Sequence, residues 1–188
     1  MDFNLPNALT WARIVMIPLV LAVFFLPAEV LSPHHQNVTA CVLFVVAAVT
    51  DWFDGYLARR MGVTSAFGAF LDPVADKLMV CAALVLLVWL DRCNVLLAFI
   101  IIGREITISA LREWMAQLGK SRSVAVSFIG KLKTTAQMVA IPLLLFQDDL
   151  FGLPIHQLGV VLMWVAAVLT LWSMVYYMRK ALAVLSEK

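Results

Sequence analysis

The chain has 188 residues, of which 63% are hydrophobic and 14% charged, with a formal net charge of +2 and a mean hydropathy of +0.95. An average soluble domain carries about 25% charged residues. So few charges exclude an ordinary soluble globule, a disordered chain and a disulfide-stapled secreted module, and the mild balance gives no basis for nucleic-acid binding. The composition reads as one all-α polytopic membrane domain over residues 1–188.

The N-terminus, Met-Asp-Phe-Asn-Leu-Pro, has no cationic start, and no small-residue cleavage site follows the first apolar run. The first span is therefore expected to stay in the mature protein. Six apolar runs suit transmembrane helices, each needing about 20 residues. They cover residues 9–26, 38–57, 73–90, 95–115, 134–146 and 158–177. The fifth is short and is expected to start earlier, near Ser127 or Ile129. Pro18 and Pro142 fall inside spans, where neighbouring helices can re-satisfy the carbonyls that proline frees. Cys41 and Cys81 lie in apolar runs as small hydrophobes, and no disulfide or zinc role is expected of them or of Cys93.

With six spans both termini share a side. Of the 14 Lys and Arg, all but Arg92 fall toward that side. The positive-inside rule then puts both termini and the two basic loops in the cytoplasm. The far loops carry Glu29, His34, His35, Asp91, Asp148, Asp149 and His156, of which the histidines read as solvated loop residues. Trp11, Trp52, Trp89, Trp114, Trp164, Trp172, Tyr176 and Tyr177 mostly cluster toward span ends, and an interfacial belt explains most of them.

One stretch breaks the apolar rule: Asp51-Trp-Phe-Asp54-Gly55-Tyr-Leu-Ala58-Arg59, then Gly68-Ala-Phe-Leu-Asp72-Pro-Val-Ala-Asp76-Lys77. Asp51 and Asp54 are i,i+3 and share a helix face, and Gly55 and Ala58 lie i+4 from them. Gly68, Asp72 and Asp76 form a second stripe at steps of four. Joined by a short loop, the two acidic stripes can face each other across a gap floored by small residues. Acids inside a membrane boundary are costly and normally functional. Four ionised carboxylates repel, and a divalent cation relieves that repulsion. Oxygen-only ligation, with no His or Cys, favours Mg2+ or Mn2+. Arg59 adds a bidentate partner for phosphate or carboxylate.

A second set is basic. Arg104 lies in an otherwise apolar span, which is expensive without a function or a partner. Glu105 is adjacent in sequence and points elsewhere, so the two make a poor intrahelical pair. Arg112 follows eight residues on, about 80° around the helix and about 12 Å along it. Lys131 and Lys133 enter the fifth span from the same side. Arg104, Arg112, Lys131 and Lys133 form one cationic pool.

The set Asp51, Asp54, Gly55, Ala58, Arg59, Gly68, Asp72 and Asp76 resembles, without departure, the signature of the CDP-alcohol phosphatidyltransferase family. Asn4-Leu5-Pro6-Asn7-Ala8-Leu9-Thr10…Arg13, Gly103-Arg104-Glu105…Arg112-Glu113 and Gly130-Lys131-Leu132-Lys133-Thr134 resemble the branch whose acceptor is sn-glycerol 3-phosphate. The resemblance implies a six-helix membrane fold, a cytoplasm-facing site and a homodimer. It implies transfer of a phosphatidyl group from CDP-diacylglycerol to sn-glycerol 3-phosphate, giving phosphatidylglycerophosphate and CMP. It further implies that Asp51, Asp54 and Asp72 hold two Mg2+ or Mn2+ ions, with Asp76 nearby or shared, and that Asp76 takes the proton of the attacking hydroxyl. Gly55, Ala58, Arg59 and Gly68 would form the CDP-diacylglycerol pocket, with Asn7, Thr10 and Ser65 at its rim. The cationic pool would then bind glycerol phosphate. Two alternatives stay open: another acceptor, inositol phosphate or serine, and an ion-coupled transporter, although acids gathered at one end without an internal repeat do not suit the latter.

Overall fold

The computed structural model describes residues 5–61, 66–120 and 128–186, and within them the side chains of all but residues 5–8, 52, 54–61, 66–67, 69, 128 and 184–186. Six helices make up the described chain: α1 Leu5–Val23, α2 Pro33–Met61, α3 Ala66–Trp89, α4 Val95–Gln117, α5 Phe128–Phe146 and α6 Ile155–Ser186. Among the described residues the one extended pairing is a bridge between Leu150 and Leu153. Each helix matches one apolar run, and α5 begins where its short run was expected to be extended. α2, α3 and α6 run past their apolar runs into charged sequence. Pro73, read as the start of the third run, therefore lies inside α3. Gly68, Asp72 and Asp76 sit on this single helix, as the four-residue stripe requires.

The helix ends follow local chemistry. α1 stops although Phe24-Phe25-Leu26 is apolar, because bonds from these amides to carbonyls three residues back tighten the turn and Pro27 follows. α3 ends with Asp91 left-handed at φ 57° and the Arg92 amide bonded to the Leu87 carbonyl at 2.8 Å. α4 is capped by Asn94, whose side chain accepts from the Leu96 amide at 2.8 Å. It ends at Gly119, φ 71°, with the Lys120 amide on the Met115 carbonyl. That left-handed position is the one glycine fills without strain.

The helices run alternately up and down. One end of the bundle gathers the start of α1, the end of α2 and the start of α3, through Arg13–Asp51 and Thr10–Asp72 contacts. The other gathers the start of α2 and the ends of α3 and α5 around Arg92. Its Nη1 donates to the Leu145 carbonyl at 2.8 Å and the Leu144 carbonyl at 3.4 Å, and its Nη2 donates to Asn37 Oδ1 at 2.7 Å. Burial pushes this guanidinium below its ordinary pKa, while the Asp148 carboxylate pushes it back up. His34 Nδ1, read as solvated, lies 2.6 Å from Asp148 Oδ2 and ties the first far loop to the last.

The main core is apolar and interdigitated, with Phe44, Leu84, Leu87, Ile101, Ile141 and Leu144 essentially fully buried. α5 and α6 share the most extensive contact of any helix pair. The outward faces are apolar too: Val15, Val42, Phe70, Val85, Phe99, Val161 and Trp172 are all exposed. Residues of this kind on so many outward positions suit a lipid-facing surface better than a soluble one. By length and composition, α5 and α6 can cross a membrane.

Candidate functional site

The acidic stripes lie at the near end of the bundle, as the spacing predicts, and α1 closes over them. Arg13 is completely buried, with Nη1 2.5 Å from Asp51 Oδ1. Thr10 is also buried and donates from Oγ1 to Asp72 Oδ1 at 2.6 Å. The carboxylates of Asp51, Asp72 and Asp76 are near enough to repel, Asp51 with Asp72 and Asp51 with Asp76. Gly68 is buried on the same helix as Asp72 and Asp76. The side chains of Asn7, Asp54, Gly55, Ala58 and Arg59, and the whole of Ser65, lie outside the described residues.

These residues fit a divalent cation in donor chemistry: oxygen-only carboxylates from two helices, Asp51 still more than a third exposed despite its ion pair. Among the described residues no three His, Cys, Asp or Glu converge into a set that could hold a metal. Asp54, which stands one helical turn from Asp51, is not among the described side chains.

Beside the carboxylates opens a cavity of about 420 Å3. Asp76 of α3, Arg104, Ser109 and Arg112 of α4, Thr134 of α5 and Tyr177 of α6 line it. Four helices thus bring the acidic and basic sets to one space. Arg104 is 7% exposed and Arg112 half-buried. Arg104 Nη2 donates to Ser173 Oγ at 3.1 Å, and Nη1 stands 3.4 Å from Glu105 Oε1. The latter is longer than a good N–H···O bond, as expected for neighbours on a helix. The closer partner of Glu105 Oε1 is Lys133 Nζ, buried at 2% exposure. Both arginines retain a buried Nε–H with no partner among the described residues. A buried unpaired donor on a cation is costly, and an anionic ligand satisfies it.

The pool of four basic residues divides. Arg104 and Arg112 line the cavity. Lys133 is turned onto Glu105, and Lys131 is exposed and outside the cavity lining. Ser109 and Thr134 donate to the Glu105 and Gly130 carbonyls at 2.7 and 3.0 Å. Their protons are committed, which leaves oxygen lone pairs as acceptors toward the cavity.

Sequence reading leaves three features of the site unassigned. Arg13 counts there only as a basic residue, without its pairing to Asp51. Thr10, expected at the nucleotide rim, also donates to Asp72. Tyr177 was grouped with the interfacial aromatics, yet it is 0% exposed and lines the cavity. The stripe Thr170, Ser173, Tyr177 and Ala181, at steps of three and four and all buried, carries the signal that could have found it.

Thr134 also ends an apolar groove of about 390 Å3 between α2 and α5, lined by Phe44, Ala48, Met138 and Pro142 among others. A polar cavity and an apolar groove therefore meet at one residue.

The sequence profile of the CDP-alcohol phosphatidyltransferase family matches residues 3–172. Curated relatives from Shigella flexneri serotype 5b (strain 8401), Shigella boydii serotype 4 (strain Sb227) and Escherichia coli (strain K12) are each 51% identical to the chain over 194 aligned residues, covering all of both sequences. Each of these relatives is named CDP-diacylglycerol–glycerol-3-phosphate 3-phosphatidyltransferase.

Proposed function

The chain belongs to the CDP-alcohol phosphatidyltransferase family, and from that premise we propose that it transfers the phosphatidyl group of CDP-diacylglycerol to sn-glycerol 3-phosphate, releasing CMP. The observation that carries the reading is the cavity where Asp76 stands across from Arg104 and Arg112. It joins a proton acceptor to a cationic pocket that suits a phosphorylated alcohol. All six helices span the bacterial inner membrane as one domain, with the site and both termini on the cytoplasmic side. The apolar outward faces and the placement of Lys and Arg support this. The protein acts as a homodimer.

Asp51, Asp54, Asp72 and Asp76 would hold Mg2+ or Mn2+, as two ions, and the bound metal would offset pyrophosphate charge and stabilise the leaving phosphate. The remaining work falls to the chain. Arg13 and Thr10 fix the Asp51 and Asp72 carboxylates from α1. Gly55, Ala58, Arg59 and Gly68 form the CDP-diacylglycerol pocket, with Asn7, Thr10 and Ser65 at its rim. The diacyl tail lies along the α2–α5 groove, which keeps it in an apolar setting while the head group reaches the acids. Arg104 and Arg112 bind the acceptor phosphate, Lys131 and Lys133 add positive potential, and Glu105 holds Lys133. Asp76 accepts the proton of the acceptor hydroxyl as it attacks the phosphatidyl phosphorus.

The test is CMP release by purified protein in detergent, with CDP-diacylglycerol, Mg2+ and one acceptor at a time. Release with sn-glycerol 3-phosphate, and not with serine or inositol phosphate, is expected, with loss on adding EDTA. Release with another acceptor would overturn the acceptor assignment. No release from folded protein with any acceptor would return the carboxylates to an ion pathway.

A further inference from the structure

Among the described residues, Tyr177 is the one large aromatic side chain completely buried at the cavity. It comes from α6, whereas both cavity arginines come from α4. The guanidinium carbon of Arg104 stands 5.7 Å from its ring centroid and that of Arg112 stands 5.6 Å. One ring therefore serves two cations, which lie at most about twice that distance apart. The sequence geometry makes this possible. Arg104, Ile108 and Arg112 follow at steps of four, and buried Ile108 packs in the same cluster as Tyr177, Leu111, Met115 and Ala181. The ring rests on this cluster, with an arginine before and after Ile108.

We propose that Tyr177 is a positioning residue of the acceptor-phosphate subsite, its ring holding the Arg104 and Arg112 guanidiniums together on one cavity wall. The inference rests on the assignment of these arginines to the acceptor phosphate and adds the residue that fixes them. Two guanidiniums sharing a cavity repel, and the negative face of an aromatic ring attracts each. Arg104 has a second anchor in Ser173. Arg112 is half-buried, so without the ring it has room to swing away. The ring thus sustains the paired arrangement before any phosphate arrives, and the ordering cost is met in the fold rather than on binding.

The experiment compares Tyr177→Leu, Tyr177→Phe, Arg104→Ala and Arg112→Ala, each as full-length protein in detergent. The readouts are KM for sn-glycerol 3-phosphate, KM for CDP-diacylglycerol, and inhibition by inorganic phosphate. Tyr177→Leu is expected to raise the acceptor KM about tenfold and weaken phosphate inhibition equally, with the lipid KM within twofold of its starting value. Tyr177→Phe keeps the ring and is expected to restore the acceptor KM to within about twofold, because Phe also attracts cations through its face. Tyr177→Leu combined with Arg112→Ala should be no worse than Arg112→Ala alone. Equal impairment by Phe and Leu would assign the effect to the hydroxyl and overturn the proposal, as would a Leu variant that shifts both KM values alike. If the Leu variant does not fold, Tyr177→Met, closer in volume, replaces it; failure of both to fold would make the ring a packing element and overturn the proposal too. Arginine variants that leave the acceptor KM unchanged would remove the subsite itself. Arginine variants that raise it while Tyr177→Leu does not would remove only the role of Tyr177.

Discussion

Arg92 and Arg104 are both largely withdrawn from solvent, at opposite ends of the same bundle, and they are used differently. Arg92 spends its fork on fixed acceptors: two carbonyls in the last turn of α5 and the Asn37 side chain, with Phe24 beneath at 5.6 Å. These carbonyls have no partner within their own helix, and a cation at the helix C-terminus is favourable. Arg104 has one good bond to Ser173, a long approach to an acid that Lys133 already holds, and a buried Nε–H with no partner among the described residues. On the proposed function, the contrast separates a structural cation from one that binds the acceptor. A spent arginine fastens helices together, whereas an arginine with donors left over has capacity for a ligand.

The strongest way to break this contrast is at the near end. Asp76→Asn keeps the shape of the side chain and removes the proton acceptor. CMP release is expected to fall by at least about 10²-fold, the low end for losing a general base, while CDP-diacylglycerol still binds. Near-normal turnover in that variant would take Asp76 out of the role, and the near end would then look as structural as the far one.

Exchanging the two arginines sharpens it further. Arg92→Ala leaves the Leu145 carbonyl and Asn37 without their donor, at a cost of about 1–3 kcal/mol for a buried group left unpaired. A lower thermal midpoint in detergent is expected, with both KM values unchanged in the protein that remains folded. Arg104→Ala, in contrast, should raise the acceptor KM with a smaller change in midpoint. If Arg92→Ala altered the acceptor KM, the ends would be coupled and the division between them would fail.

Much of this was legible in the sequence. Apolar runs located all six helices, and steps of three and four put Asp51, Asp72 and Asp76 at one end of the bundle. The cost of a charge in an apolar span singled out Arg104. What the sequence did not carry is helix rotation. Where apolar residues cover both the inner and the outer face, hydropathy does not say which face turns inward. The pairs Thr10–Asp72, Arg13–Asp51, Glu105–Lys133 and Arg104–Ser173 all join different helices, and each depends on that rotation. Tyr177 shows the same limit. Beside Tyr176 near a span end it reads as interfacial, and only packing distinguishes the buried ring from the exposed one. Lys133 and Lys131 look alike in sequence for the same reason.

The smallest expected effect probes the far end from within. Gly159 on α6 lies against the last turn of α5, where an added Cβ would stand 2.9 Å from Leu144 Cγ and Cδ2 and 3.2 Å from Leu143 Cβ. Alanine in a helix is favoured over glycine by about 0.5–1 kcal/mol. Overpacking a tight contact costs about 1–3 kcal/mol. Leu144 Cδ2 can rotate away, but Cγ cannot move without shifting the residue whose carbonyl Arg92 holds. Gly159→Ala is therefore expected to cost about 1 kcal/mol net, read as a modest fall in thermal midpoint. Because the displaced residue is also a partner of Arg92, Arg92→Ala should cost less in the Gly159→Ala background than alone, by at least about 0.5 kcal/mol, the coupling of contacting sites. Arg104→Ala shares no partner with Gly159 and should add independently. Additive behaviour of Arg92 and Gly159 would mean that the last turn of α5 is not held by that guanidinium, and the far end would lose its fastening role.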